Sequence, residues 1–145
     1  MKKILWMLAL GLAAPTGWAQ MTPVGTWRSV DDQTGAAKSE VVIVDHGGVL
    51  TGRISRLLRQ GADPEARCTA CSDERKDQPL VGLEIIRGAR QAEDRAVWEG
   101  GRILDPENGK TYTLRLTPTD EGRTLDVRGS IGPFGRSQTW TRVAP

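Results

Sequence analysis

Strict alternation of apolar and polar residues near the C-terminus constrains this chain more than any other feature. Tyr112, Leu114 and Leu116 fall on one face, and Thr111, Thr113 and Arg115 on the other. Leu125, Val127, Gly129 and Ile131 alternate in the same way with Thr124, Asp126, Arg128 and Ser130. A period of two with one polar face predicts antiparallel strands buried on one side. Comparable short runs recur along the chain, and we read strands at residues 24–30, 38–45, 48–58, 80–87, 95–104, 110–117, 123–131 and 135–143. Turn chemistry separates them: Asp31-Asp32-Gln33-Thr34-Gly35, Asp45-His46-Gly47-Gly48, Asp105-Pro106-Glu107-Asn108-Gly109, Asp120-Glu121-Gly122 and Gly132-Pro133. Asn108-Gly109 is a strong hairpin signal, because both residues accept positive φ. Only Ser55 to Leu58 and the stretch around Glu93 hint at a helical turn. Strands of this number with short loops close most simply into an antiparallel eight-stranded up-and-down barrel, which leaves no exposed edge. A two-sheet sandwich is the alternative.

The first 19 residues form a separate unit. Lys2 and Lys3 give a positive start, Ile4 to Ala14 is apolar, and Gly17-Trp18-Ala19 supplies small residues at a cleavage position. That order predicts a secretory signal peptide over residues 1–19, cut near Ala19, and a mature part over residues 20–145 that is periplasmic or secreted. The apolar run is too short to anchor in a bilayer, no later stretch approaches the ~20 apolar residues of a membrane span, and no Cys follows the cut to take a lipid. Both leader lysines leave with the signal, so 18 of the 20 basic residues remain against 18 acidic ones. A net charge near zero gives no general attraction for nucleic acid or an anionic membrane. The mature length fits one domain. Its apolar content, 38% over the whole chain and about one third without the leader, predicts a lean core.

Several catalytic readings fail on their missing parts. Cys68-Thr69-Ala70-Cys71 has redox-dithiol spacing, but nothing around it reads as the βαβ setting such a site needs. Zinc requires about four ligands, and the mature part offers Cys68, Cys71 and His46. A local disulfide in an oxidising compartment is the better reading, pinning the long connection from Arg59 to Gln78. That connection also carries the charged run Ser72-Asp73-Glu74-Arg75-Lys76-Asp77 and reads as solvated surface. His46 sits in a turn, and no Gly-x-Ser-x-Gly elbow accompanies its His-Gly-Gly. Gly109-Lys110-Thr111 ends like a phosphate loop, yet Leu104 stands where the earlier glycine belongs. Asp31-Asp32 and Asp105 with Glu107 read as turn-capping carboxylates rather than a metal or acid–base pair. Trp27, Trp98, Trp140, Tyr112 and Phe134 are the mature aromatics, and no basic stripe interleaves them for nucleic-acid stacking. With no nucleophile–base set the chain reads as a non-enzyme, and no cofactor is implied.

A longer set of motifs resembles a known family. It comprises Gly25-x-Trp27, Asp31-Asp32-x-Thr34-Gly35, Gly48-x-Leu50-x-Gly52-x-Ile54 and Cys68-x-x-Cys71. It continues with Gly100-Gly101-x-Ile103-Leu104-Asp105-Pro106-x-Asn108-Gly109-Lys110-x-Tyr112, Arg128-Gly129-x-Ile131-Gly132 and Gly135-Arg136-x-Gln138-x-Trp140-x-Arg142. Together these resemble the bacterial DUF2147 family, exported proteins of lipocalin-like (calycin) barrel type, across essentially the whole mature part. The resemblance implies fold and compartment but no activity. It also implies that Arg142 packs over Trp27 where first and last strands close the barrel.

Parity on the last strand places Arg136, Gln138, Trp140 and Arg142 on one face. Trp140 should point inward, taking Arg136 and Gln138 with it, and Tyr112 and Trp98 should join them. Polar groups inside a barrel need partners, so Arg136 and Gln138 either pair with an internal acid such as Glu84, or meet water or a ligand. The expected ligand is small with one polar or anionic end, held by Arg136 in a two-pronged contact. The first reading is therefore a periplasmic small-ligand-binding barrel. The second is a structural or protein-interaction factor of the cell envelope with a filled barrel, since eight strands suit either interior.

Overall fold

A computed structural model describes residues 21–145; the expected signal peptide lies outside the described residues. Eight strands follow in order: β1 (Gly25–Val30), β2 (Ala37–His46), β3 (Val49–Leu57), β4 (Glu84–Gln91), β5 (Trp98–Leu104), β6 (Thr111–Thr119), β7 (Thr124–Ile131) and β8 (Phe134–Ala144). Each pairs antiparallel with the next, and β8 returns to β1, giving a closed barrel rather than a sandwich. One 3-10 turn, Asp120–Gly122, joins β6 to β7. The expected helical hints resolve otherwise: β3 runs through Leu57, and the stretch around Glu93 is a turn closed by Ala92 N–H to Val97 O at 2.8 Å.

Alternation does the packing. Trp27, Val41, Ile43, Leu50, Ile54, Leu114, Leu116, Leu125 and Trp140 all face inward and are buried, and their removal from water is the main drive to close the sheet. Ile131 departs from this pattern. Its parity is inward, but it lies beyond the last packed layer, 52% exposed at the tip of the β7–β8 hairpin.

The fourth and fifth strands start later than the sequence suggested. Residues 80–83 are apolar without being strand: Leu83 N–H turns back to Leu80 O at 3.1 Å, and Leu83 O accepts from Ile54 N–H. The long connection therefore spans residues 58–83, and it is ordered rather than simply solvated. Arg67 bridges Pro79, Cys68 N–H donates to Gln78 O at 2.8 Å, and Leu80 N–H donates to Ala66 O at 2.8 Å. Arg75 is buried within it, donating to the Asp73 carboxylate and to Glu84 O at 2.8 Å. Hydrogen bonds from the Arg75 side chain and backbone hold the Asp73 carboxyl down at about 2.

Candidate functional site

Strand direction gives the barrel two unlike ends. The β2–β3, β4–β5 and β6–β7 turns share one end with the start of β1 and the finish of β8. Here the Arg142 guanidinium carbon lies 4.2 Å from the Trp27 ring centroid, and Trp27 Nε1 donates to Pro23 O at 2.7 Å. This end is shut.

At the other end the β1–β2, β3–β4, β5–β6 and β7–β8 connections surround an opening, and beneath it lies a cavity of about 310 Å³. Ile54, Leu57, Ile85, Ile103, Val127 and Trp140 make its apolar wall. The polar features are few and already engaged. Ser29 and Ser39, opposite one another on β1 and β2, are buried with their hydroxyls 2.7 Å apart. Trp140 Nε1 donates to Gln138 Oε1 at 2.8 Å, and the Gln138 amide in turn donates to Asp32. Tyr112, on the wall, accepts at its hydroxyl from Asn108 Nδ2 at 3.0 Å.

The rim cations are each paired with a carboxylate, while Asp63 and Asp105 accept from the Glu65 and Glu107 backbone N–H groups. Lys38 meets Glu107 at 3.4 Å, Arg59 meets Glu107 at 2.7 Å and Asp31 at 2.9 Å, and Arg136 meets Asp32 at 3.6 Å. Backbone N–H groups of Thr34 and Gln33 hold the Asp31 carboxyl below its ordinary range, with Arg59 adding to the effect. Among the described residues no group of His, Cys, Asp and Glu is arranged to hold a metal ion.

Tyr112, Arg136, Gln138 and Trp140 are thus brought together around one cavity, while two other expected residues are not. Glu84 faces outward beside its cross-strand neighbour Arg53 and pairs with Arg53 at 2.9 Å and Arg87 at 2.5 Å. Trp98 is buried core, but it begins β5 at the shut end, opposite Leu116. Arg136 also needs correcting. Its side chain is 73% exposed at the rim, so it is neither an internal partner of Glu84 nor a cradle within the cavity. Reading by parity missed Ser29 and Ser39, although both share the inward register of Trp27 and Val41.

Part of the long connection also reaches the mouth, where Ala62, Asp63, Ala66 and Leu80 line the cavity. Cys68 and Cys71 are joined in a disulfide and almost wholly buried. Cys68 Sγ lies 3.8 Å from Pro106 O, so the bridge braces the loop against the β5–β6 turn. Replacing both cysteines with serine should lower stability by about 2 kcal/mol and leave the barrel formed. Urea denaturation with far-UV circular dichroism checks both halves of that expectation.

A family model described as an uncharacterized protein conserved in bacteria (DUF2147) matches residues 25–142. The chain belongs to the DUF2147 family. Among solved structures, the Helicobacter pylori protein HP1028, described as belonging to the lipocalin family, is similar with a TM-score of 0.70. The match covers 83% of this chain and 82% of that one at 18% sequence identity, which establishes a lipocalin-like fold and nothing finer. No curated protein matches the sequence. This DUF2147 barrel therefore has a lipocalin-like fold, and no helix among the described residues is long and apolar enough to cross a membrane.

Proposed function

We propose that this protein is an exported, non-enzymatic binding barrel for one small, largely apolar and uncharged molecule with a single hydrogen-bonding group. The cavity carries this reading. Its roughly 310 Å³ stands at the low end of ligand pockets, which calls for a compact ligand, and a barrel filled by side chains would leave no such space. Charge chemistry argues against an anionic end, because every cation lining the mouth already has a carboxylate partner. The Ser29–Ser39 pair offers instead a neutral hydroxyl contact on an apolar wall. Neither serine has a histidine or other base beside it, which supports binding rather than nucleophilic catalysis. The lysine-led apolar start supports export, with Gln20 as the first mature residue.

Native mass spectrometry of protein recovered from periplasm tests the whole reading. We expect a chain beginning at Gln20 with a small molecule that is released on denaturation. Ile103→Trp, which fills the cavity from its wall, should weaken binding at least tenfold, with a stability change of about 1–3 kcal/mol from overpacking. A wild-type protein found empty, whose Trp140 emission ignores a panel of neutral apolar probes, overturns the proposal.

A further inference from the structure

We infer that the β7–β8 hairpin tip is a lipid-contacting surface, with Ile131 and Phe134 entering an anionic bilayer surface while Arg128 and Arg102 meet its headgroups. The inference is independent of what the cavity holds. Ile131 and Phe134 form the closing pair of the hairpin, on either side of Gly132 and Pro133. Phe134 is 78% exposed, whereas Trp27, Trp98 and Trp140 are buried and Tyr112 is partly covered. The Phe134 ring is no part of the buried core and has only the cross-strand contact with Ile131 to gain from the fold. Large apolar side chains projecting together from a tight turn mark a contact site.

Cations surround this tip in an arrangement the fold does not favour. Arg115 stands directly opposite Arg128, and Arg87 directly opposite Arg102. Like charges at opposed positions destabilise a sheet. Glu99 relieves Arg115, and Glu74 and Glu84 relieve Arg87. Arg102 and Arg128 make no ion pair among the described residues. Both lean toward the tip's end of the barrel. Arg102 donates to Thr111 Oγ1 at 3.0 Å, and Arg128 crosses Gly135, where a Cβ would lie 2.6 Å from its Nη2. Arg136 adds a further exposed cation beside the tip, shared with Asp32. The even overall charge conceals this local collar.

A lipid surface fits these observations better than a protein. Two apolar side chains on a tight turn are too small a core for a stable protein interface, which buries about 1,200–2,000 Å². A short wedge with cations behind it matches the layered chemistry of a bilayer surface, apolar within and anionic at the headgroups. Asp63 and Asp105 at the mouth are in no ion pair among the described residues and would be repelled, so the barrel should rest on its β7–β8 edge rather than mouth-down.

The test is sedimentation of the purified protein with vesicles of phosphatidylethanolamine and phosphatidylglycerol, against vesicles of phosphatidylcholine alone. Association is expected with the anionic vesicles only, and should weaken as salt rises. Arg128→Ala and Arg102→Ala should each cost about fivefold in affinity, the equivalent of ~1 kcal/mol per basic residue at such a surface. Phe134→Ser should cost about tenfold, with near-UV circular dichroism unchanged. Arg28→Ala, at an exposed β1 position away from the tip, should have no effect. A tryptophan placed at position 134 by Phe134→Trp should shift its emission to the blue on the anionic vesicles. Absence of association overturns the inference, as does wild-type affinity in Phe134→Ser or an equal loss in Arg28→Ala.

Discussion

Arg142→Ala is expected to destabilise the barrel by about 3 kcal/mol while leaving the mouth and its cavity as they are. This side chain does more than stack on Trp27. Its Nε donates to Gly122 O at 2.6 Å, Nη1 to Val24 O at 2.8 Å and Nη2 to Thr22 O at 2.7 Å. One guanidinium on β8 thus fastens the β6–β7 turn and the segment leading into β1. Burial disfavours the charge, and the Arg142 pKa moves down from its ordinary value for that reason. The cation–π contact contributes roughly 0.5–2 kcal/mol, and a hydrogen bond to a charged group about 1.5–3 kcal/mol. These shared terms do not add fully, hence the intermediate figure. Gly25 belongs to the same device, since a Cβ there would overlap Arg142 Nη1 and lie 2.8 Å from Ala144 O. Arg142→Lys should recover only a part, because a compact ammonium cannot present a planar fork to three carbonyls. Urea unfolding checks this through a lower midpoint with an unchanged slope. A loss below about 1 kcal/mol would mean that the shut end is held by the strand ladder alone.

How much of this was legible in the sequence depends on what kind of information each feature needs. Barrel and strand number were readable, because alternation and turn residues are local properties, whereas the Arg142–Trp27 contact at the shut end was implied only by the family resemblance. Leu80 to Leu83 misled for a physical reason: Leu80 lines the cavity and Leu83 is buried, so this stretch is apolar without being strand. Glu84 shares the parity of the buried Ile86, but the β3–β4 register shifts between Gly52 and Arg53, and that irregularity sets Glu84 outward beside Arg53. Arg136 and Trp98 show a different limit. Parity gave the correct face for both, but height along the barrel axis depends on how neighbouring strands are staggered. That stagger puts Arg136 out at the rim and Trp98 at the shut end. Gln138 and Trp140 share Arg136's face, and for them parity and height agree. Asn108-Gly109 was recognised as a turn, yet its more demanding role comes from a segment nearly forty positions earlier.

At that turn, Gly109→Ala should free the disulfide loop from the mouth, with a loss of about 3 kcal/mol. Gly109 has φ of 73°, and Asn108 does not share the positive φ expected of the pair. Asn108 contributes its side chain instead, accepting from Lys110 N–H at 2.8 Å. A Cβ on Gly109 would overlap the Ala70 carbonyl oxygen, with the carbonyl carbon at 2.6 Å and Cys71 N at 3.3 Å. All three atoms are backbone beside the buried disulfide, so no flexible side chain can move aside. Alanine at Gly47 is the matched comparison. That residue also has positive φ, at 62°, but its missing Cβ would meet nothing within 4 Å. Gly47→Ala therefore carries only the left-handed penalty of about 1–2 kcal/mol, and the excess at Gly109 measures the loop contact. Hydrogen exchange locates the effect: the Cys68 and Leu80 amides, bonded to Gln78 O and Ala66 O, should exchange faster, while the β6–β7 ladder stays protected. Binding should weaken along with them, because Ala66, Leu80 and Pro106 line the cavity from the two sides of this contact. Equal losses at Gly47 and Gly109 would instead show that Gly109 serves backbone conformation alone, leaving the loop held by the Cys68–Pro106 approach and the Arg75 anchor.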